Sequence, residues 1–264
     1  MPGKIIRELL HFVKAQIEDI NAIQAKRVLI GLGYTAVQLS TGHVGLCYTF
    51  SSEIAPNCCQ IWRKAGTLAG SSAIKIAELS LSWDLSEAVV GVAALNALSQ
   101  LAMEKNLDRY VIAEGDLIDQ LKIRRNDTVV LVGNIHPFIP KIMEKTRKIF
   151  ILERNPRMRE ANVFPDTAAD EILPQATIAI ITGTTLANGT IDHLLELSKT
   201  AKEVALVGPT ANMFPDPLFK RGVTIIGGIR ITDSNKVLQV VSEGGGTPGF
   251  KNACQQIIIR PKQL

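Results

Sequence analysis

Nine consecutive residues, Thr182-Gly183-Thr184-Thr185-Leu186-Ala187-Asn188-Gly189-Thr190, carry four threonine hydroxyls, one carboxamide and two glycines. Such side chains bind more readily than they react. A loop of this composition presents backbone N–H groups to an anion or hydroxyls to a polar ligand; equally, it makes a turn into a helix capped by Thr190. Gly133-Asn134-Ile135-His136-Pro137 combines a turn glycine with a proline suited to a first helical turn, where exposed amides can hold an anion. Within it, His136 is a candidate base or metal ligand, or a loop histidine packed beside Pro137. Glu153 lies twenty positions beyond Gly133. An acidic residue at that spacing meets a ribose hydroxyl in dinucleotide-binding folds, and a structural or substrate ion pair with Arg154 is the alternative. Gly208-Pro209-Thr210 and the pair Gly227-Gly228 offer backbone that a ligand can approach closely. The glycine-rich stretch at 244–249 either closes over a site or ends a helix.

The elements that must position these segments are short apolar runs at 128–133, 148–152, 176–181, 203–207 and 223–226. Runs apolar on both faces suit strands of a parallel sheet covered by helices on each side. Helical candidates at 137–145, 191–197, 216–220 and 233–241 separate them, giving a doubly wound α/β sheet in which ligands sit beyond the carboxyl ends of the strands. Each segment named above follows one of those strands.

The first hundred residues have a different rhythm. Residues 5–20 space their apolar side chains as a helix does. Strands at 27–32, 34–40 and 43–50, with a turn at Thr41-Gly42, make an antiparallel meander. Residues 73–81 read as a short helix. Asp84 with Glu87 three positions later opens another helix that is apolar nearly all round, and Asn96 is polar within it. Residues 114–122 read as a connecting helix. The expected division is an α+β domain over 1–110 and an α/β domain over 111–264, with 111–127 as connecting helix and linker.

Composition sets the outer bounds. The chain has 264 residues, 46% hydrophobic and 20% charged, with net charge +4. The densest basic cluster, Lys122, Arg124 and Arg125, lacks interleaved aromatics and reads as a solvated linker face, so no nucleic-acid partner is expected. Apolar stretches of strand length and charges throughout the N-terminal segment predict neither a membrane span nor a signal peptide. Four cysteines, Cys47, Cys58, Cys59 and Cys254, form no CxxC, and reduced thiols in the cytoplasm are the simplest expectation. Cys47, Cys58 and Cys59 with His43 lack zinc-motif spacing. There is no GxGxxG, HExxH, GxSxG or Walker loop.

Taken together, Gly133-Asn134 with Pro137, Glu153-Arg154, Thr182-Gly183-Thr184-Thr185-Leu186 with Asn188 and Thr190, Gly208-Pro209-Thr210 and Gly227-Gly228 resemble an uncharacterised prokaryotic family named for heavy-metal chelation. The resemblance covers nearly the whole chain. It implies a domain similar to the enolase N-terminal domain followed by a Rossmann-like domain, with a site in the cleft between them. That cleft would bind a small polar or metal-chelating ligand through the strand-end loops and, from the first domain, Gly31, Gly33, Tyr34 and Asn96. The cofactor it implies is a divalent or heavy metal, for which His136 and Glu153 are the weak candidate ligands. Enolase chemistry does not follow, because the barrel that holds enolase's magnesium is missing. Two other functions fit the residues: an enzyme using S-adenosylmethionine or a dinucleotide at the strand ends, and a non-catalytic interaction protein. A homodimer is compatible with all three.

Overall fold

The computed structural model describes residues 3–54, 62, 64–160 and 162–262, so Cys58 and Cys59 lie outside the described residues. Its first half holds a helix α1 (Lys4–Gln16), strands β1 (Ala25–Ile30), β2 (Tyr34–Leu39) and β3 (Val44–Tyr48), and helices α2 (Ala73–Ala77) and α3 (Leu85–Glu104). The strands form the expected antiparallel meander, β1-β2-β3. α1 buries Ile5, Ile6, Leu9, Leu10 and Val13 along one stripe. It ends four residues earlier than its apolar spacing suggests, because the chain reaches a left-handed conformation at Asp19 (φ 49°) and turns into a short 3₁₀ segment. α3 begins as its sequence signal says: the Asp84 carboxylate accepts the N–H groups of Ser86 and Glu87. By length and composition α3 would be long and apolar enough to cross a membrane, but most of it is buried in the core. No strand-length limit on the apolar runs therefore holds at this helix.

The second half follows with β4 (Tyr110–Glu114), α4 (Leu117–Gln120), β5 (Thr128–Val132), α5 (Phe138–Lys145), β6 (Lys148–Glu153), β7 (Val163–Pro165), α6 (Ala169–Ile172), β8 (Ile178–Thr182), α7 (Ile191–Leu197), β9 (Glu203–Val207), α8 (Pro215–Phe219), β10 (Ile225–Ile231), α9 (Ser234–Ser242), α10 (Thr247–Phe250) and β11 (Cys254–Pro261). These strands make one sheet of eight in the order β4-β11-β10-β9-β8-β5-β6-β7. From β10 to β7 every pairing is parallel, which is the doubly wound arrangement. β11 runs antiparallel to both of its neighbours, so the sheet is mostly rather than wholly parallel.

Residues 114–122 are not a connecting helix. They comprise the end of edge strand β4 and the single turn α4, which Asp116 caps by accepting the Ile118 N–H at 2.8 Å. Gly227-Gly228 is not a loop either, since β10 runs on through both residues to Ile231. The reason is local packing. A Cβ on Gly228 would collide with the side chain of Asn212, whose amide accepts the Ile229 N–H at 2.9 Å and donates to the Ile229 carbonyl. Glycine within a strand here marks the close approach of a neighbouring side chain, while Gly227 pairs with Val207, the last residue of β9, at the carboxyl edge of the parallel strands.

β5 pairs with β6 on one side and with β8 on the other. The connections leaving β5 and those arriving at β8 thus diverge in opposite directions, and the carboxyl ends of β5 and β8 flank the switch-point crevice of an open α/β sheet. The apolar core runs without a break from the three-stranded half into this sheet: Leu9, Val13, Leu95 and Leu98 join Val130, Leu206 and Phe214 in one cluster, with Phe12 and Phe214 stacked at 5.8 Å. The two halves are therefore held against each other by buried apolar surface, and the polar edge of their contact lies at the strand ends.

Candidate functional site

The loop after β5 begins at Gly133 (φ 100°), whose conformation favours glycine. Asn134 follows, buried, with its N–H donating to Glu153 Oε2 at 2.8 Å and its side-chain Nδ2 donating to the Met158 carbonyl at 2.8 Å. Its Oδ1 is buried without a hydrogen-bond partner. His136 is exposed beside Pro137, which takes the N-cap position of α5.

Glu153 does not stand free at the end of β6. Its second oxygen, Oε1, accepts the Asn155 N–H at 2.7 Å, so each carboxylate oxygen is engaged by a backbone N–H from a different loop. The carboxylate ties the β5 and β6 loops together, and the ribose role inferred from its spacing loses its main support. Arg154 donates from Nε to Glu53 Oε2 at 2.8 Å, across to the other half of the molecule.

After β8 the chain makes a 3₁₀ turn rather than an open loop. Thr182 sits at its start, and its hydroxyl accepts from the N–H and hydroxyl of Thr184 at 3.4 and 3.2 Å. The Thr185 hydroxyl is spent on the Thr182 carbonyl at 2.7 Å. Thr190 holds the N-cap position of α7 without capping it; its hydroxyl donates to Asn188 Oδ1 at 2.7 Å instead. Gly183 is packed tightly, since a Cβ there would come within 2.5 Å of the Ala211 N. Of the four hydroxyls, those of Thr182 and Thr184 are the ones not consumed by main-chain carbonyls or by Asn188.

After β9 comes Gly208 (φ 106°), where a Cβ would meet nothing within 4 Å. Pro209 and Thr210 then face the other half. The Thr210 hydroxyl accepts the Tyr48 N–H at 3.1 Å. Asn96, wholly buried on α3, donates to the Leu46 carbonyl at 3.1 Å and to the Pro209 carbonyl at 2.9 Å, while its Oδ1 accepts from Gln100 at 2.8 Å. All of its hydrogen-bonding capacity on that seam goes to neighbouring main chain, so Asn96 is a bolt between the halves. Gly31 and Gly33 pack against the end of α9: a Cβ on Gly33 would come within 2.7 Å of the Gly245 carbonyl. Tyr34 shares a hydrogen bond with Thr247 at 3.2 Å and sits edge-on to Phe250. The glycine-rich 244–249 segment thus ends α9 and leads into the short helix α10.

The residue that sequence inspection missed is Tyr48, the last of β3. It is half-buried, edge-on to Tyr34 and Phe50, and burial together with the nearby carboxylates of Glu153 and Glu53 raises its pKa, keeping the phenol protonated. Nothing in a single tyrosine at a strand end distinguishes it from core; only the pairing of the two halves reveals it. Phe50, next along, takes a left-handed conformation (φ 54°) that is uncommon for a bulky residue. Behind Tyr48, burial pushes the Cys47 thiol far up, and hydrogen bonding to Thr210 offsets part of that.

The donor set at this seam is therefore hydroxyls, main-chain groups, a phenol and an arginine. Among the described residues no group of three or more His, Cys, Asp or Glu side chains is placed to hold a metal ion. His136 and Glu153 share no such cluster. A bare heavy-metal ion does not fit these groups, since soft metals select thiolate and imidazole.

Family models described as "Putative heavy-metal chelation" match residues 13–99 and 116–260. An uncharacterized protein of Methanocaldococcus jannaschii is 35% identical over 180 residues, 66% of this chain and 66% of that protein, so the match spans just under two thirds of the relative's length. A crystal structure of a protein of unknown function from Pyrococcus horikoshii superposes with a TM-score of 0.80 at 23% identity, covering 97% of this chain and 98% of that one. A second, from Desulfitobacterium hafniense, gives 0.79 at 21% identity, covering 97% and 98%. At those identities the structures speak for the fold alone, and the fold agrees from end to end. With one model spanning more than half of the chain and the other covering most of its first hundred residues, the protein belongs to the family described as "Putative heavy-metal chelation".

Proposed function

We propose that residues 1–110 and 111–264 act as two domains and that the seam between them binds a small polar molecule, a metal chelator or a chelate of one. The observation that supports this best is Gly208. It stands at the carboxyl end of β9 in a glycine-favoured conformation, its Cβ direction open for at least 4 Å, one strand away from Thr182 and Thr184, whose hydroxyls bond each other and no main-chain carbonyl. Backbone exposed in this way at the switch-point edge of an α/β sheet is where ligands approach. Asn134, Arg154 and Tyr48 complete the wall from neighbouring elements.

The chemistry of the wall sets the form of any metal. Hydroxyls and amides recognise the oxygen and nitrogen atoms of an organic ligand, so a metal would arrive already wrapped, with the protein reading the wrapping. Glu153, at the end of β6, accepts one main-chain N–H on each carboxylate oxygen, which fixes its orientation in the wall.

The test is a thermal-shift panel on the full chain, followed by calorimetry of the hits. The panel holds divalent cations alone, metal-free chelators, their metal complexes, nucleotides and neutral polyols. A ligand at a hundredfold excess over its Kd stabilises by about 2.7 kcal/mol, which for a chain of this size is a Tm rise of about 5 °C. A chelator or its complex should produce that rise, and Thr184→Val should weaken it. If no member of the panel moves Tm, the seam is not a binding site of this kind.

A further inference from the structure

The turn after β6 carries three arginines in six positions, Arg154, Arg157 and Arg159, and hydrogen bonds hold it at both ends. Asn155 opens the 3₁₀ turn Pro156–Met158 by accepting the Arg157 N–H at 3.1 Å. Glu153 holds the Asn155 N–H, and Asn134 holds the Met158 carbonyl at 2.8 Å, so both ends of the turn are tied to the carboxyl edge of the sheet. Asn155 Nδ2 also reaches Ser52 across the seam at 3.4 Å.

The three guanidinium groups are used differently. Arg159 is a brace: its Nε donates to the Glu153 carbonyl at 2.7 Å and its Nη2 to the Arg154 carbonyl at 2.8 Å. Arg154 is held only at Nε, by Glu53 at 2.8 Å. Among the described residues its two terminal nitrogens have no hydrogen bond, so the edge of the guanidinium that can fork onto two oxygens is left open and is aimed by a carboxylate from the other half of the molecule. Arg157 is exposed, and among the described residues its side chain makes no hydrogen bond or ion pair. A guanidinium fork matches two oxygens of a carboxylate or phosphate. Neither acidic side chain nearby bonds the terminal nitrogens: Glu153 accepts a main-chain N–H on each oxygen, and Glu53 accepts from Arg154 Nε. Tyr48, on the same seam, stays protonated because burial and the Glu153 and Glu53 carboxylates raise its pKa.

We propose that the seam ligand carries an oxyanion, a carboxylate or phosphate group, which docks on the terminal nitrogens of Arg154 with Arg157 as the second cation. This rests on the seam being a ligand site, and it narrows the ligand to an anionic class. Preorganisation of the turn reduces the ordering cost that two long side chains would otherwise impose on binding.

The experiment is calorimetric titration of the full chain with citrate as the carboxylate probe, pyrophosphate as the phosphate probe, and glycerol and magnesium chloride as uncharged and metal-only controls. Citrate or pyrophosphate should bind, more weakly as salt rises, and whichever does so identifies the oxyanion. Arg157→Gln should weaken that binding about tenfold or more while leaving the urea midpoint unchanged, because the side chain holds no structural bond; Arg154→Lys, which keeps the charge and loses the fork, should weaken it too. If a neutral ligand from the wider panel binds, Thr184→Val weakens it and Arg157→Gln does not, the inference falls and the seam site stands. If nothing binds, both fall.

Discussion

Asn96→Leu is the sharpest test of how the two halves are joined. The side chain is fully buried, and its Nδ2 satisfies two main-chain carbonyls, Leu46 on β3 at 3.1 Å and Pro209 beyond β9 at 2.9 Å, while Oδ1 receives Gln100 at 2.8 Å. Leucine preserves the volume and removes all three bonds. Leaving a buried polar group unpaired costs about 1–3 kcal/mol. Gln100 also donates to the Val44 carbonyl at 2.9 Å and is only partly buried, so its loss is small. The two carbonyls decide the outcome, at about 1–2 kcal/mol each, less some gain from an apolar side chain. The expected loss is about 3 kcal/mol, read as a lower urea midpoint at constant slope, or as a Tm lowered by about 6 °C. Because the Pro209 carbonyl sits next to Gly208, the variant should also bind any seam ligand more weakly. A loss below about 1 kcal/mol would mean that the interlock between Leu46 and Pro209 is carried by packing alone, and the account of Asn96 as a bolt would be wrong.

Three further outcomes are open to measurement. Gly228→Ala should cost about 3 kcal/mol through overpacking against Asn212 and loss of its two bonds to Ile229, and its effect with Asn212→Ala should be less than additive in denaturant titrations; strict additivity would show that the two do not meet. Burial pushes the Asp127 carboxyl up, but bonds from Lys202, the Arg124 N–H and Thr177 outweigh it and hold the pKa below the usual range. A depressed folded value contributes stability that is full above the ordinary aspartate value near 4 and is lost as pH falls through the folded value, so Asp127→Asn should destabilise by about 2 kcal/mol at pH 7 and by little at pH 2; a deficit unchanged across that range would refute the assignment. Burial raises the Cys47 thiol far above its ordinary value and the half-buried Cys254 thiol to about 11, so iodoacetamide at pH 8 should leave Cys47 unlabelled in the native protein and label it in urea, by peptide mapping; native labelling at a free-thiol rate would show that the seam opens.

Elements whose signals are local were legible in the sequence. The five two-sided apolar runs are parallel strands, and Asp84 with Glu87 opens α3 as such pairs do. β4 and β11 were not legible. Tyr110–Glu114 is a short run at the sheet edge with Val111 more than half exposed, and Cys254–Pro261 places two glutamines ahead of its isoleucines. β11 becomes a strand by pairing with β10 and β4, and β4 by pairing with β11. At the site, composition located the strand-end loops but not their internal bookkeeping. The spacing of Glu153 suggested a ribose ligand or an ion pair with Arg154, and the structure adds two main-chain N–H groups on its carboxylate; Gly227-Gly228 looked like ligand-facing backbone, and the structure packs Leu117 against the first and Asn212 against the second. Tyr48 and the open fork of Arg154 depend on Glu53 arriving from a segment a hundred residues away, and no local pattern encodes that.

The place of β11 has a consequence for how the chain can be made. β4 is attached to the sheet only through β11, and β11 lies between β4 and β10. During synthesis from the N-terminus, Tyr110–Glu114 emerges about 140 residues before β11, its one strand partner among the described residues. Until then Tyr110–Glu114 has no strand to pair with, and this end of the sheet stops at β10. A long-range pairing of this kind forms late, so a ribosome-bound chain lacking β11 should be open to proteolysis around β4 while the three-stranded half is already protected. The strand that joins β4 to the rest of the sheet is also the one made after every other.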